Sequence, residues 1–134
     1  MALIGVLACL LLALAGCGNA GKYDRAVKDI SEGRYDAAIK AFTELGEYED
    51  SSKYLVYAEA LKRLKEGQHE AAKQDFLNLG DFKSSMLYAE YSEAADLRES
   101  GWYETAYETF LSLGSFSDSA VQAENTLREW AEYS

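Results

Sequence analysis

Apolar residues recur along this chain with helical spacing, and the whole pattern then repeats. Tyr35, Ala38, Phe42 and Leu45 are separated by three and four positions and are followed by Gly46. Sliding the sequence by 34 residues brings Ala72, Phe76, Leu79 and Gly80 onto the same places, and sliding again brings Tyr103, Ala106, Phe110, Leu113 and Gly114. Gly33, Gly67 and Gly101 precede the three stretches with the same period. A second set, Tyr54, Tyr57, Ala58, Leu61 and Leu64, also keeps to three and four and lies on one helical face. Helices are therefore predicted at 22–32, 34–45, 51–66, 68–79, 84–100, 102–113 and 118–133. Two amphipathic helices separated by one glycine make a hairpin. A hairpin buries its apolar face only against a neighbour, and about three copies suffice.

The connections follow the same period. Gly46, Gly80 and Gly114 stand where a left-handed C-terminal cap is expected. Asp50-Ser51, Ser84-Ser85 and Asp118-Ser119 are expected to supply capping oxygens to the next helix. Between them Tyr48, Phe82 and Phe116 place one apolar residue in each turn. The last copy departs from the pattern. Gln122 and Asn125 replace Tyr88 and Tyr91, and the stripe moves to Ala123, Leu127, Trp130 and Ala131, as expected of a capping helix.

Composition narrows the function classes. The chain has 134 residues, enough for one domain, with 13 Lys and Arg against 23 Asp and Glu, a formal charge of −10. No charged residue precedes Lys22. So acidic a surface repels nucleic acid and anionic lipid headgroups, and no nucleic-acid partner is expected. The two cysteines, Cys9 and Cys17, both precede the repeats, so the repeats hold no disulfide and no thiolate metal site.

Residues 2–15 are an unbroken apolar run, shorter than the roughly 20 residues a membrane-spanning helix needs and suited to a signal-peptide core. It ends in Leu14-Ala15-Gly16-Cys17, which resembles the lipobox of bacterial lipoproteins at all four positions. The resemblance implies a signal peptide at 1–16 and diacylglycerol on Cys17. Residues 17–21 would be the lipidated cysteine and a short linker, and 22–134 the repeat domain. Two acyl chains hold a protein stably on a membrane, so the expected location is the extracytoplasmic face of the cell membrane. Unlike most signal peptides, the run has no Lys or Arg before it.

Gly-x-Tyr-x-x-Ala-x-x-x-Phe at this period resembles the tetratricopeptide repeat. The extension Leu-Gly-x-Tyr/Phe-x-Asp/Ser-Ser is similar to a variant found in membrane-anchored and secreted bacterial proteins. The resemblance covers nearly all of 23–127 and implies an all-α, right-handed superhelical solenoid of about three hairpins. In that family ligands lie in a concave groove. Transferred directly, the groove receives Tyr54, Tyr57, Tyr88 and Tyr91, and Trp130 marks a sticky end. The competing assignment makes the tyrosines the packing face, in register with Tyr23 and with Ala60 and Ala94, and makes Trp130 part of a cap. Two departures from the family stand out: no proline closes the repeats, and Glu59-Ala60 and Glu93-Ala94 occupy the places of its first-helix Leu-Gly pair.

Little points to catalysis. His69, the one histidine, sits in the slot of Tyr35 and Tyr103 without convergent partners. The acids at Glu47, Glu49, Asp50 and Asp81 lack the alternating ligands and central glycine of a calcium loop. Neither a phosphate loop nor a Gly-x-Ser-x-Gly elbow is present. The expectation is a non-enzymatic, cofactor-free and metal-free envelope lipoprotein whose repeats bind another envelope protein or a peptide. The alternative is a self-associating structural module.

Overall fold

The computed structural model describes residues 18–134; the expected signal peptide and the lipidation site at Cys17 lie outside them. The described chain is all-α, with seven helices. They are α1 at 18–31, α2 Tyr35–Leu45, α3 Ser51–Lys65, α4 His69–Leu79, α5 Ser85–Glu99, α6 Tyr103–Leu113 and α7 Ser119–Tyr133. Helices of 11 and 15 residues alternate from α2 onward. Their bounds follow the apolar period closely. The start of α1 does not: 18–21 are helical, where the sequence suggested an extended linker. An established helix gains a backbone hydrogen bond for each residue added upstream, and that gain needs no apolar face to signal it.

The chain divides into two compact units, one ending at Ala58 and one starting at Glu59, with the division inside α3. In the first, α1 and α2 run antiparallel. Tyr23 near the start of α1 meets Phe42 near the end of α2 edge-on at 5.7 Å, and Lys22 pairs with Glu44. Tyr54 lies flat on Phe42, with centroids 5.1 Å apart and planes 8° apart. Tyr48, from the turn, closes edge-on against Tyr23.

The second unit repeats the arrangement. α4 packs on α5, α5 on α6 and α6 on α7. Tyr88 stacks on Phe76 at 5.2 Å and takes Phe116 edge-on at 4.7 Å. Ala94, Phe110, Leu113 and Ala123 form its core, with Tyr91, Ala95, Tyr107 and Phe116 packed around them. Phe42, Phe76 and Phe110 are all buried, as are Ala38, Ala72 and Ala106 one turn earlier. Each phenylalanine side chain contributes about 1.5–3 kcal/mol by its burial, and the small alanine lets the partner helix approach.

The two glycine sets do different work from the one expected. Gly46, Gly80 and Gly114 do stand at the C-caps of α2, α4 and α6, but the left-handed cap belongs to Gly33, Gly67 and Gly101, with φ of 78°, 83° and 86°. There Arg34 N–H donates to Asp29 C=O at 2.8 Å while Gly33 N–H donates to Ile30 C=O at 3.0 Å. This is the paired bonding of a left-handed C′ glycine, and it recurs at 67–68 and 101–102. Gly46 instead has φ 58° and ψ −113°, far from the left-handed helix. Tyr48 N–H donates to Leu45 C=O at 3.1 Å, so Gly46 is the first central residue of a type II′ turn, a position that requires positive φ.

The capping expectation also needs correction. Neither Ser84 nor Asp118 makes a side-chain cap bond. Ser84 has φ −93° and ψ 24°, not the extended backbone that aims a side-chain oxygen at the first turn. The following serines, Ser51, Ser85 and Ser119, are fully buried, and Ser85 Oγ donates to Phe82 C=O at 2.6 Å. Small size is what that slot needs.

Candidate partner-binding surface

The tyrosines singled out by the sequence are engaged in packing. Tyr54 and Tyr57 are 6% and 8% exposed. Tyr88 is half-buried between Phe76 and Phe116. Tyr91 is half-buried, meets Phe110 edge-on at 5.3 Å, and donates its hydroxyl to Asp118 Oδ1 at 2.6 Å. Burial first, then the neighbouring Asp118 carboxylate, pushes that hydroxyl well above the usual tyrosine range. Tyr54 and Tyr57 are thus buried in the packing, while Tyr88 and Tyr91 pack on one side and keep part of their surface exposed.

Trp130 is half-buried on α7, whereas Tyr133 at the end is 82% exposed and tilts against Tyr103 at 5.5 Å. The more telling feature of α7 is what replaces the docking residues of α5. Tyr88, Tyr91, Ala94 and Arg98 meet α6, α7 or the turn between them. The corresponding positions of α7 are Gln122, Asn125, Arg128 and Glu132.

α5 and α7 are clasped by Arg98, which stands in the slot of Ile30 and Leu64. Its Nε donates to Glu129 Oε2 at 3.0 Å and its NH1 to Gln122 Oε1 at 2.6 Å, and its NH2 pairs with Glu129 Oε1. The fork-to-carboxylate geometry is the strong form of this bond. It holds the Glu129 carboxyl below its usual range and raises the guanidinium.

Apolar side chains left in solvent show their own period. Leu77 on α4 and Leu111 on α6 share one slot, and Leu87 on α5 and Val121 on α7 share another. All four are exposed, Leu111 at 52% and Val121 at 55%, and Met86 and Trp102 are exposed with them. The first copy has Thr43 and Lys53 in these slots, so both rows belong to the second unit. Scattered exposed leucines need no explanation; what distinguishes these is that they recur at the same slots in successive copies. Reading only the three-and-four face conceals them; comparing the copies slot by slot would have revealed them.

His69 Nε2 lies 3.4 Å from Glu99 Oε2, and its Nδ1 is buried without a partner among the described residues. No group of three or more His, Cys, Asp or Glu is arranged to hold a metal ion there, and no helix there is long and apolar enough to cross a membrane. No family model matches the chain, and neither a curated protein nor a solved structure matches it.

Proposed function

We propose that this is a bacterial lipoprotein of the tetratricopeptide-like class, anchored through Cys17 on the extracytoplasmic face of the membrane, whose helical repeats bind another envelope protein or a peptide. The observation that carries the binding role is the pair of exposed apolar rows, Leu77 with Leu111 and Leu87 with Val121, spaced by the repeat itself. Successive copies offer equivalent contacts to one extended partner, and the acidic balance favours a basic one, chiefly by steering its approach. The anchor rests on Leu14-Ala15-Gly16-Cys17 after the apolar run.

The self-associating reading draws on the exposed Tyr133, Leu127 and Val121 of α7. Against it, Gln122, Asn125, Arg128 and Glu132 deny a further hairpin the docking slots that α5 offers. End-on growth by the internal packing mode is therefore disfavoured.

The test is crosslinking on intact cells with the full, C-terminally tagged chain and with a Leu77→Glu/Leu111→Glu variant. One envelope protein linked to the wild type and lost from an equally abundant, folded variant supports the binding role. Links between copies alone would replace it with self-assembly. Detergent partition of wild type and Cys17→Ala reads the anchor separately.

A further inference from the structure

A groove with a volume of about 260 Å³ lies between α1 and α2. Its apolar lining is Ala26, Ala37 and Ala41, of which Ala26 is fully buried, and Lys22, Arg25 and Lys40 line it with them. Two carboxylates also line it, but both are occupied: Glu44 pairs with Lys22, and Asp29 accepts from Arg34 Nε at 2.9 Å. Lys40 lies near enough to Glu44 to help lower its carboxyl, and Arg25 has no ion pair among the described residues. Arg25 and Lys40 are thus surplus positive charge beside an apolar lining, in a chain of net charge −10.

The other copies carry different residues in the slots that line this groove. Ala41 occupies the slot of Asp75, which in the second copy pairs with Arg63, the residue in the slot of Asp29. Lys22, Arg25 and Lys40 become Val56, Glu59 and Gln74 in the second copy and Glu90, Glu93 and Glu108 in the third. Identical backbone positions have exchanged three cations for three carboxylates. Residues 18–58 carry six Lys and Arg against eight acids, net −2, while 59–134 carry seven against fifteen, net −8.

We propose that this groove seats the phosphate of an anionic phospholipid in the membrane that carries the chain, a step that rests on the anchored reading above. The chain outside the described residues ends at Cys17, and everything before Lys22 is uncharged. α1 starts at 18, next in sequence to the anchor residue, and Lys22 lies about 6 Å along the helix axis from that start. The distance is within the roughly 8 Å over which surface charge acts at physiological salt. Each Lys or Arg near such a surface strengthens attachment by roughly fivefold, and the alanine lining accommodates the glycerol backbone of the lipid.

The test uses the full chain purified from bacterial membranes. It is reconstituted into vesicles of phosphatidylcholine alone or with phosphatidylglycerol as the minor component. Amine labelling of Lys22 and Lys40 is read by peptide mass spectrometry, with Lys83 as the internal reference. Phosphatidylglycerol should slow labelling at Lys22 and Lys40 several-fold relative to Lys83. Arg25→Glu and Ala41→Asp, each importing the residue of another copy, should abolish the difference. Equal labelling in both vesicles, or a difference that survives both variants, overturns the proposal. So does protection by soluble glycerol phosphate over phosphatidylcholine, which makes the ligand a free anion, or protection that grows with protein density, which makes it a second copy. The Cys17 peptide from the same digest reports the anchor. If its acyl mass is missing, the anchored reading fails and takes this proposal with it; if the mass is present and labelling is flat, the groove alone fails.

Discussion

The hairpin α1–α2 and its counterpart α5–α6 share a backbone plan and differ in almost everything they show to solvent. Both use a buried phenylalanine under an edge-on tyrosine, Phe42 under Tyr23 and Phe110 under Tyr91. In both, the alanines at the corresponding slots are fully buried, Ala26 and Ala38 in the first and Ala94 and Ala106 in the second. Yet the rim of the first is Lys22, Arg25 and Lys40, and that of the second Glu90, Glu93 and Glu108. The buried slots are bound by close packing, where one methylene is felt. The rim slots contribute little to stability and are free to carry opposite charge.

The shared core is where substitution costs most. Phe42→Ala, Phe76→Ala and Phe110→Ala should each destabilise by about 3–5 kcal/mol, read by thermal unfolding followed by circular dichroism. One copy tolerating the change far better than the others would show that the three cores are not equivalent. Next come the turns. Gly80 has φ 60° and ψ −121°, and Gly80→Ala should cost about 1–3 kcal/mol by the same measurement. An unchanged midpoint would mean the type II′ turn relaxes at no cost.

A smaller effect separates the last copy from the others. Arg98→Met, close to the Leu64 of the second copy, should cost about 1 kcal/mol or less, because Glu129 is substantially exposed and solvent screens the pair. The sign with pH is fixed. The folded Glu129 carboxyl lies below its unfolded value. Its stabilisation is therefore present above the unfolded value, about 4.3, and is lost as pH falls through the folded one. The variant should lack that acid-limb loss; an unaltered pH profile would show the clasp is idle. Smallest of all, Lys83→Gly should raise the unfolding midpoint slightly. Lys83 has φ 51°, and left-handed backbone costs a side-chain-bearing residue about 1–2 kcal/mol, partly offset by the flexibility glycine gains on unfolding.

Helix positions were legible because burial enforces a periodicity and the periodicity occurs three times. The turns were only half legible. Glycine at 46 announces positive φ, but its ψ of −113° depends on where Tyr48 must go, to pack against Tyr23. The serines misled for a related reason. Ser51, Ser85 and Ser119 look like caps in sequence, yet their slots select for small volume at a buried helix start. The tyrosines were legible as apolar positions but not as exposed or buried ones, since Tyr54 and Tyr88 differ in burial while sharing a slot. The candidate surfaces were hidden by averaging. A total charge of −10 conceals a cationic groove, and a stripe read along one helix overlooks leucines recurring across copies.

The polar residues of α7 also bear on how such a chain can change over evolutionary time. Duplicating the segment 67–100 in place would insert another hairpin between helices that already present Tyr, Ala and Phe to their neighbours. A copy placed directly after α7 would instead meet Gln122, Asn125 and Arg128. Duplication within 67–100 therefore keeps each docking slot against its usual partner, whereas the polar slots of α7 offer a following hairpin no equivalent seat.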